Sequence, residues 1–286
     1  MKSFNRKLVL EDGSEYCGYG FGSPCQRVCE LVFNTSMVGY QEIVSDPSYA
    51  GQIVTLTYPQ IGNYGINEKD MQGDPLHLAG LVVHDMCYTP SNWQSVESFP
   101  NFLAQNGVVA IEDVDTRALT IAIREGGAMR AAISTTDLDP ESLIARVKAS
   151  PSIADHNYVA DVSTKESYVV PGQDADGQPR LHVVAYDCGE KRGNRPSAIS
   201  AAGCEVTVVP WDTPAEKVLE MNPRRCVLLQ RPRRPRLRAA RCRRRARVPR
   251  PSSPSSVSAS ATRSSPWRPA PRSRSSRTAT TAATSL

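Results

Sequence analysis

From Arg224 to Leu286 the chain carries 18 arginines and no lysine, aspartate or glutamate, set among Ser, Pro, Ala and Thr. With few large apolar side chains and no periodicity, such a stretch buries too little to offset roughly 1–2 kcal/mol of backbone entropy per residue, and irregular coil is expected there. The preceding 223 residues differ in kind, holding all 29 Asp+Glu against 16 Lys+Arg. The net charge of +5 and the pI near 8.8 therefore describe neither part. A basic pI by itself would suggest nucleic acid or an anionic surface as partner, but the body is acidic and carries no such signal.

No apolar run approaches the roughly 18 residues that a membrane helix needs. Met1–Leu10 (MKSFNRKLVL) lacks the apolar core and cleavage site of a signal peptide. A cytoplasmic protein is expected. The eight cysteines are scattered, with no CxxC pair and no Cys/His spacing suited to zinc, which points to reduced thiols and no metal site.

Residues 1–150 read as a mixed α/β domain. Lys7–Leu10 is a β-rich run stopped by Glu11-Asp12-Gly13, and Asp-Gly is a strong hairpin signal, so Ser14–Tyr19 should return antiparallel. Further strand candidates are Leu31–Asn34, Gln52–Tyr58, Leu81–His84 and Val108–Ile111. Helical spacing marks Ser95–Asn106, Thr116–Arg124 behind Asp115 as N-cap, and Pro140–Ala149. Residues 151–180 are polar and read as a linker.

A second unit spans residues 181–223. His182–Tyr186 and Glu205–Val209, separated by a helix-length crossover, predict the opening βαβ of a parallel sheet. Pro214–Met221 reads as the next helix, with Thr213 as N-cap. Asn222-Pro223 should lead into a third strand, which the composition from Arg224 onward does not supply.

The most distinctive run is Phe33–Gly65, FNTSMVGYQEIVSDPSYAGQIVTLTYPQIGNYG, punctuated by Gly39, Gly51, Gly62, Gly65, Pro47 and Pro59 as tight loops between strands. Together with Ile111–Thr120 (IEDVDTRALT), Arg124–Gly127 (REGG) and His182–Arg192 (HVVAYDCGEKR), it closely resembles the small, glutamine-hydrolysing subunit of carbamoyl phosphate synthetase over about residues 7–223. The resemblance implies an α/β chain with a β/β/α swivelling-type N-terminal domain, followed by an incomplete class I glutamine amidotransferase domain built on an open parallel sheet. In that family a cysteine thiolate attacks the glutamine carboxamide, backbone N–H groups hold the oxyanion and a His–Glu pair activates the thiol. The ammonia passes to a large subunit, which makes carbamoyl phosphate for arginine and pyrimidine biosynthesis. The implied partners are glutamine and that large subunit, in a heterodimer or higher assembly. ATP and Mg are expected on the large subunit, with no cofactor in this chain. The serine of the DPSY motif, Ser48, is implied to contact glutamine; on composition alone it is a turn-forming serine after Pro47.

The family's Ser-Asn-Gly-Pro-Gly-Asp-Pro loop, Gly-Ile-Cys-Leu-Gly-His-Gln nucleophile turn and Gly-His-His-Gly-Gly-Asn segment are absent from residues 224–286. Cys226 and Cys242 lie among arginines without a glycine turn, and His77, His84, His156 and His182 all precede them, so no catalytic residue is assigned. Codon arithmetic accounts for the loss. Leu229–Arg236 (LQRPRRPR) admits codons that, started one base later, spell the first missing motif, and Ser256–Arg263 and Thr278–Thr284 regroup into the other two, in the family's order. The tail reads as frameshifted family sequence. A smaller departure is Gly193–Ser200 (GNRPSAIS), where Pro196 would cost about 3 kcal/mol inside a helix. Two other readings follow from the same residues: a docking module for the large subunit that hydrolyses nothing, or an arginine-rich nucleic-acid-binding arm on an acidic domain. Against the arm stands the scarcity of stacking aromatics, Trp267 alone.

Overall fold

The expected hairpin forms first: β1 (Arg6–Leu10) turns through Gly13, at φ 94°, into an antiparallel β2 (Glu15–Gly22). The computed structural model describes residues 4–172, 181–191 and 195–229. The chain continues through β3 (Arg27–Asn34), α1 (Tyr40–Ser45), a 3-10 turn at Pro47–Tyr49, β4 (Gln52–Leu56), β5 (Gln60–Ile61), β6 (Gly80–Val82) and β7 (Asp85–Met86). Next come α2 (Phe99–Gln105), β8 (Val109–Glu112), α3 (Thr116–Gly126), β9 (Met129–Ser134) and α4 (Pro140–Ala149). Strands β1, β2, β8, β6, β4, β3 and β9 follow one another around a closed barrel, while β5 and β7 form a small separate pair. The mixed α/β character expected for this part is present; its form is this barrel, with α1, α2 and α4 packed on its outer face and Leu119 and Ile123 of α3 joining the inner cluster.

Register partners share a face, and Leu8, Leu31, Ile53, Val109, Ile111 and Ile133 meet in one fully buried cluster inside the barrel. The alternate residues Phe21, Val54, Leu81 and Ala110 face outward under α1 and α2, and Val9 and Ala132 lie under Leu143 and Val147 of α4. The lumen is narrow. A β-carbon on Gly18 would overlap the Glu112 carbonyl, and one on Gly20 would overlap the guanidinium of Arg6. Arg6, 4% exposed, donates to the carbonyls of Phe21, Ala110 and Ser23 at one end of the barrel. Burial lowers its pKa from the ordinary arginine range.

The N-cap read from sequence for α3 holds, with Asp115 Oδ1 accepting from Ala118 N at 2.9 Å, and α4 starts behind an N-cap that the sequence reading did not name, Asp139, which accepts from Ser142 N. The helix expected over Ser95–Asn106 begins only at Phe99, because Pro100 belongs to its first turn, where no amide hydrogen is needed.

Residues 151–180 are not simply a linker. They contain α5 (Tyr158–Val162) and β10 (Tyr168–Val170). After them come β11 (Leu181–Asp187), α6 (Arg195–Ala201), β12 (Cys204–Pro210), α7 (Ala215–Glu220) and β13 (Arg225–Leu229). The second sheet runs β10-β12-β11-β13, with β11 parallel to both β12 and β13 and β10 antiparallel to β12. The expected βαβ is therefore present, in the register Val183↔Val206.

Three expectations are corrected. A third strand does follow Asn222, whose left-handed φ of 49° turns the chain, because Cys226, Val227 and Leu228 are apolar enough to pack between Val184, Tyr186 and Ala185 and the elements above them. The unfavourable composition therefore begins after β13 and not at Arg224. Pro196 is the second residue of α6, in the first turn, where the missing N–H is harmless. Thr213 does not cap α7: its hydroxyl donates to Pro210 O, and Pro214 stands at the N-cap. The frameshift motifs and Cys242 lie outside the described residues, as does the proposed nucleic-acid arm beyond Leu229.

Candidate functional site

The Phe33–Gly65 run is held by its own aromatic rings. Gly39, left-handed at φ 85°, opens α1, and the Tyr64 hydroxyl accepts from the amides of Gly39 and Tyr40 at 2.8 and 2.9 Å. The Tyr40 hydroxyl donates to Gly65 O in return, and the two rings stack at 4.0 Å. Burial pushes the Tyr40 phenol far above its ordinary pKa, so it stays a neutral donor. Gln41 clasps Asn67 in both directions, through its amide nitrogen to Asn67 O and through Oε1 from Asn67 N.

This scaffold delivers Asp46-Pro47-Ser48-Tyr49. Asp46 is 7% exposed, and its Oδ1 accepts from Ser48 N at 2.8 Å, closing the 3-10 turn that Pro47 begins. Asn34 Nδ2 donates to the Tyr49 hydroxyl at 2.9 Å. A β-carbon on Gly73 would press on Ser45 O and the Pro47 ring, so the 71–73 segment backs the turn closely.

On the opposite side lies the turn after β11. Asp187, 8% exposed, accepts from the amides of Gly189 and Glu190 through Oδ1 and from Thr164 N through Oδ2, while its carbonyl accepts from Ser163 Oγ at 2.9 Å. Gly189, at φ 95°, has no room for a side chain, since a β-carbon there would overlap Val162 and come within 3.7 Å of Pro47. Lys191 Nζ then reaches Asp46 Oδ2 at 2.7 Å. The chain passes from β11 to β12 on one side and from β12 to β13 on the other side of β11. The carboxyl ends of β11 and β13 are thus a topological switch point, where open α/β sheets leave a ligand crevice. The structure brings Ser48 to that edge together with an ammonium group; sequence spacing could not show this, because 145 positions separate Asp46 from its partner at Lys191.

The residues excluded as catalytic sit apart from this edge chemistry. Cys226 pairs with Val184 near the start of β13, and burial raises its thiol pKa, the reverse of what a nucleophile needs. His182 bonds Thr207 Oγ1, His84 faces Val114 O, and His156 pairs with Asp161. Among the described residues, no group of three or more His, Cys, Asp and Glu side chains is arranged to hold a metal, and no helix is long and apolar enough to cross a membrane.

Residues 8–133 match the family of the carbamoyl-phosphate synthase small chain, CPSase domain. The carbamoyl phosphate synthase small chain of Syntrophotalea carbinolica is 48% identical over 225 residues, covering 76% of this chain and 60% of that protein. The small chain of Thermotoga maritima is 47% identical, with 76% and 54% covered, and a pyrimidine-specific small chain of Halalkalibacterium halodurans is 44% identical, with 79% and 60% covered. The chain thus spans about three fifths of the length of these relatives. An aminopeptidase from Aneurinibacillus superposes with a TM-score of only 0.26 at 12% identity, covering 73% of this chain and 48% of its own, too slight a likeness to imply a common fold. By the barrel domain at residues 8–133 and by identity that reaches well beyond it, the chain belongs to the carbamoyl phosphate synthase small-chain family.

Proposed function

We propose that this chain is the small subunit of a glutamine-dependent carbamoyl phosphate synthetase, whose role is to hydrolyse glutamine and pass ammonia to a large subunit. That large subunit joins it to bicarbonate at the expense of ATP with Mg. In this reading the barrel is the swivelling-type N-terminal domain, and the sheet of β10 to β13 is the start of a class I amidotransferase domain. The observation that carries the reading is the Asp46–Lys191 pair, which sets the Ser48 turn against the carboxyl edge of the second sheet. Ser48, on the barrel side, offers glutamine a hydroxyl, while Asp187 holds the facing turn rigid through its three amide bonds.

Hydrolysis needs a thiolate, an oxyanion hole and a base within hydrogen-bond reach, and loss of such a set forfeits several orders of magnitude in rate. The 286-residue chain carries none of the three family motifs that supply them. It should release no ammonia from glutamine above background, while a paired large subunit should still make carbamoyl phosphate from added ammonium. Restoring the reading frame should bring back glutaminase activity that a Cys→Ser change in the recovered nucleophile turn abolishes. Steady glutamine turnover by the 286-residue chain would refute this. The closed barrel also favours a docking role that survives without hydrolysis; co-elution with the large subunit at micromolar concentration tests it.

A further inference from the structure

We infer that Asp46 is a positioning residue whose single carboxylate locks the barrel to the second sheet, so that Ser48 and Lys191 stand on one rigid wall. Each oxygen serves a different body: Oδ1 fixes the Ser48 amide within the barrel's 3-10 turn, and Oδ2 fixes the Lys191 ammonium beyond β11. The carboxylate side chain is 9% exposed and the lysine 30%, so the pair is screened less than a surface ion pair and is sensitive to loss of either partner. The two turns also approach closely beside it, since a β-carbon on Gly189, two residues before Lys191, would come within 3.7 Å of Pro47. Asp46 has one bond to spend on each side, so moving one turn moves the other. An ammonium has three N–H donors, and Asp46 Oδ2 takes one of them, so a part-exposed Lys191 keeps donors for a ligand.

The coupling itself does not depend on what binds at the edge. Its meaning for glutamine rests on the function proposed above. The test is hydrogen exchange on the full 286-residue chain, reading segments 46–51 and 187–191, with β4 amides as the reference for an intact barrel. Asp46→Asn should speed exchange in both segments by about tenfold, an effect between those of surface and buried pairs. Lys191→Met should speed exchange of the Ser48 amide on the other body, which a purely local cap would not do. The double variant should add nothing to either single change, and the reversed pair Asp46→Lys with Lys191→Asp should restore part of the protection at 187–191. If β4 protection is lost in Asp46→Asn, Lys191→Gln, altered on the more exposed side, supplies the same reading. Unchanged exchange at 46–51 in the Lys191 variants, or additive effects in the double variant, would overturn the inference. Glutaminase activity is not read, so failure of that reading leaves this result standing, and the reverse.

Discussion

Replacing Gly51 with alanine strikes the brace that joins the barrel to the second sheet. Gly51 sits at φ 68° just before β4, its amide donating to His77 O, and a β-carbon there would overlap the Tyr158 ring of α5. The left-handed backbone costs a non-glycine residue about 1–2 kcal/mol. Overpacking adds about 1–3 kcal/mol, because the ring escapes only by lifting α5 from the barrel. The expected loss is about 2–5 kcal/mol, read as a fall in thermal midpoint of roughly 2–4 °C per kcal/mol for a folded body of this size. Circular dichroism measures the midpoint, and limited proteolysis at 151–172 reports release of the brace. Tyr158→Ala combined with Gly51→Ala should recover the packing share and leave the backbone share. A midpoint within about 1 °C of the parent for Gly51→Ala would refute the reasoning.

Asp115→Ala removes the cap of α3 and should cost about 1 kcal/mol in urea unfolding, with an unchanged m-value. Cys29, whose thiol burial pushes up to about 11, should hold only about one part in a thousand thiolate at pH 8, so iodoacetamide should label exposed Cys17 well before it, as read by peptide mass mapping. Burial lowers the pKa of His77 below its ordinary 6.5, so the folded chain binds fewer protons than the unfolded one. Its contribution to stability is complete above 6.5 and is lost as pH falls through the lowered value; His77→Gln should flatten the decline in urea midpoint between pH 7 and pH 5.

Where a structure is set within a few residues, the amino-acid pattern was enough. The Asp12-Gly13 hairpin, the Asp115 cap and the β11–α6–β12 unit depend on neighbours in the chain, on turn chemistry and on apolar period, all of which are visible locally. The family's motif run was legible too, though not what its residues do: the Tyr40–Tyr64 interlock was invisible because it depends on two rings meeting across 24 positions. Strand β9 (MRAAIS) has little β character of its own and is a strand because it closes the gap between β1 and β3. Strand β13 was hidden by Arg224 and Arg225, whose charge outweighs three apolar residues in composition but not in a sheet where Val184 and Tyr186 wait for partners. The buried Arg6 is acceptable only because three distant carbonyls converge on it and Gly20 leaves it room. Likewise, Asp46 reads as a turn residue until the second sheet brings Lys191 within 2.7 Å of it. Local free energies are written in the order of residues, whereas closure, burial of charge and the ion pair that joins the two sheets exist only after the chain has folded back on itself.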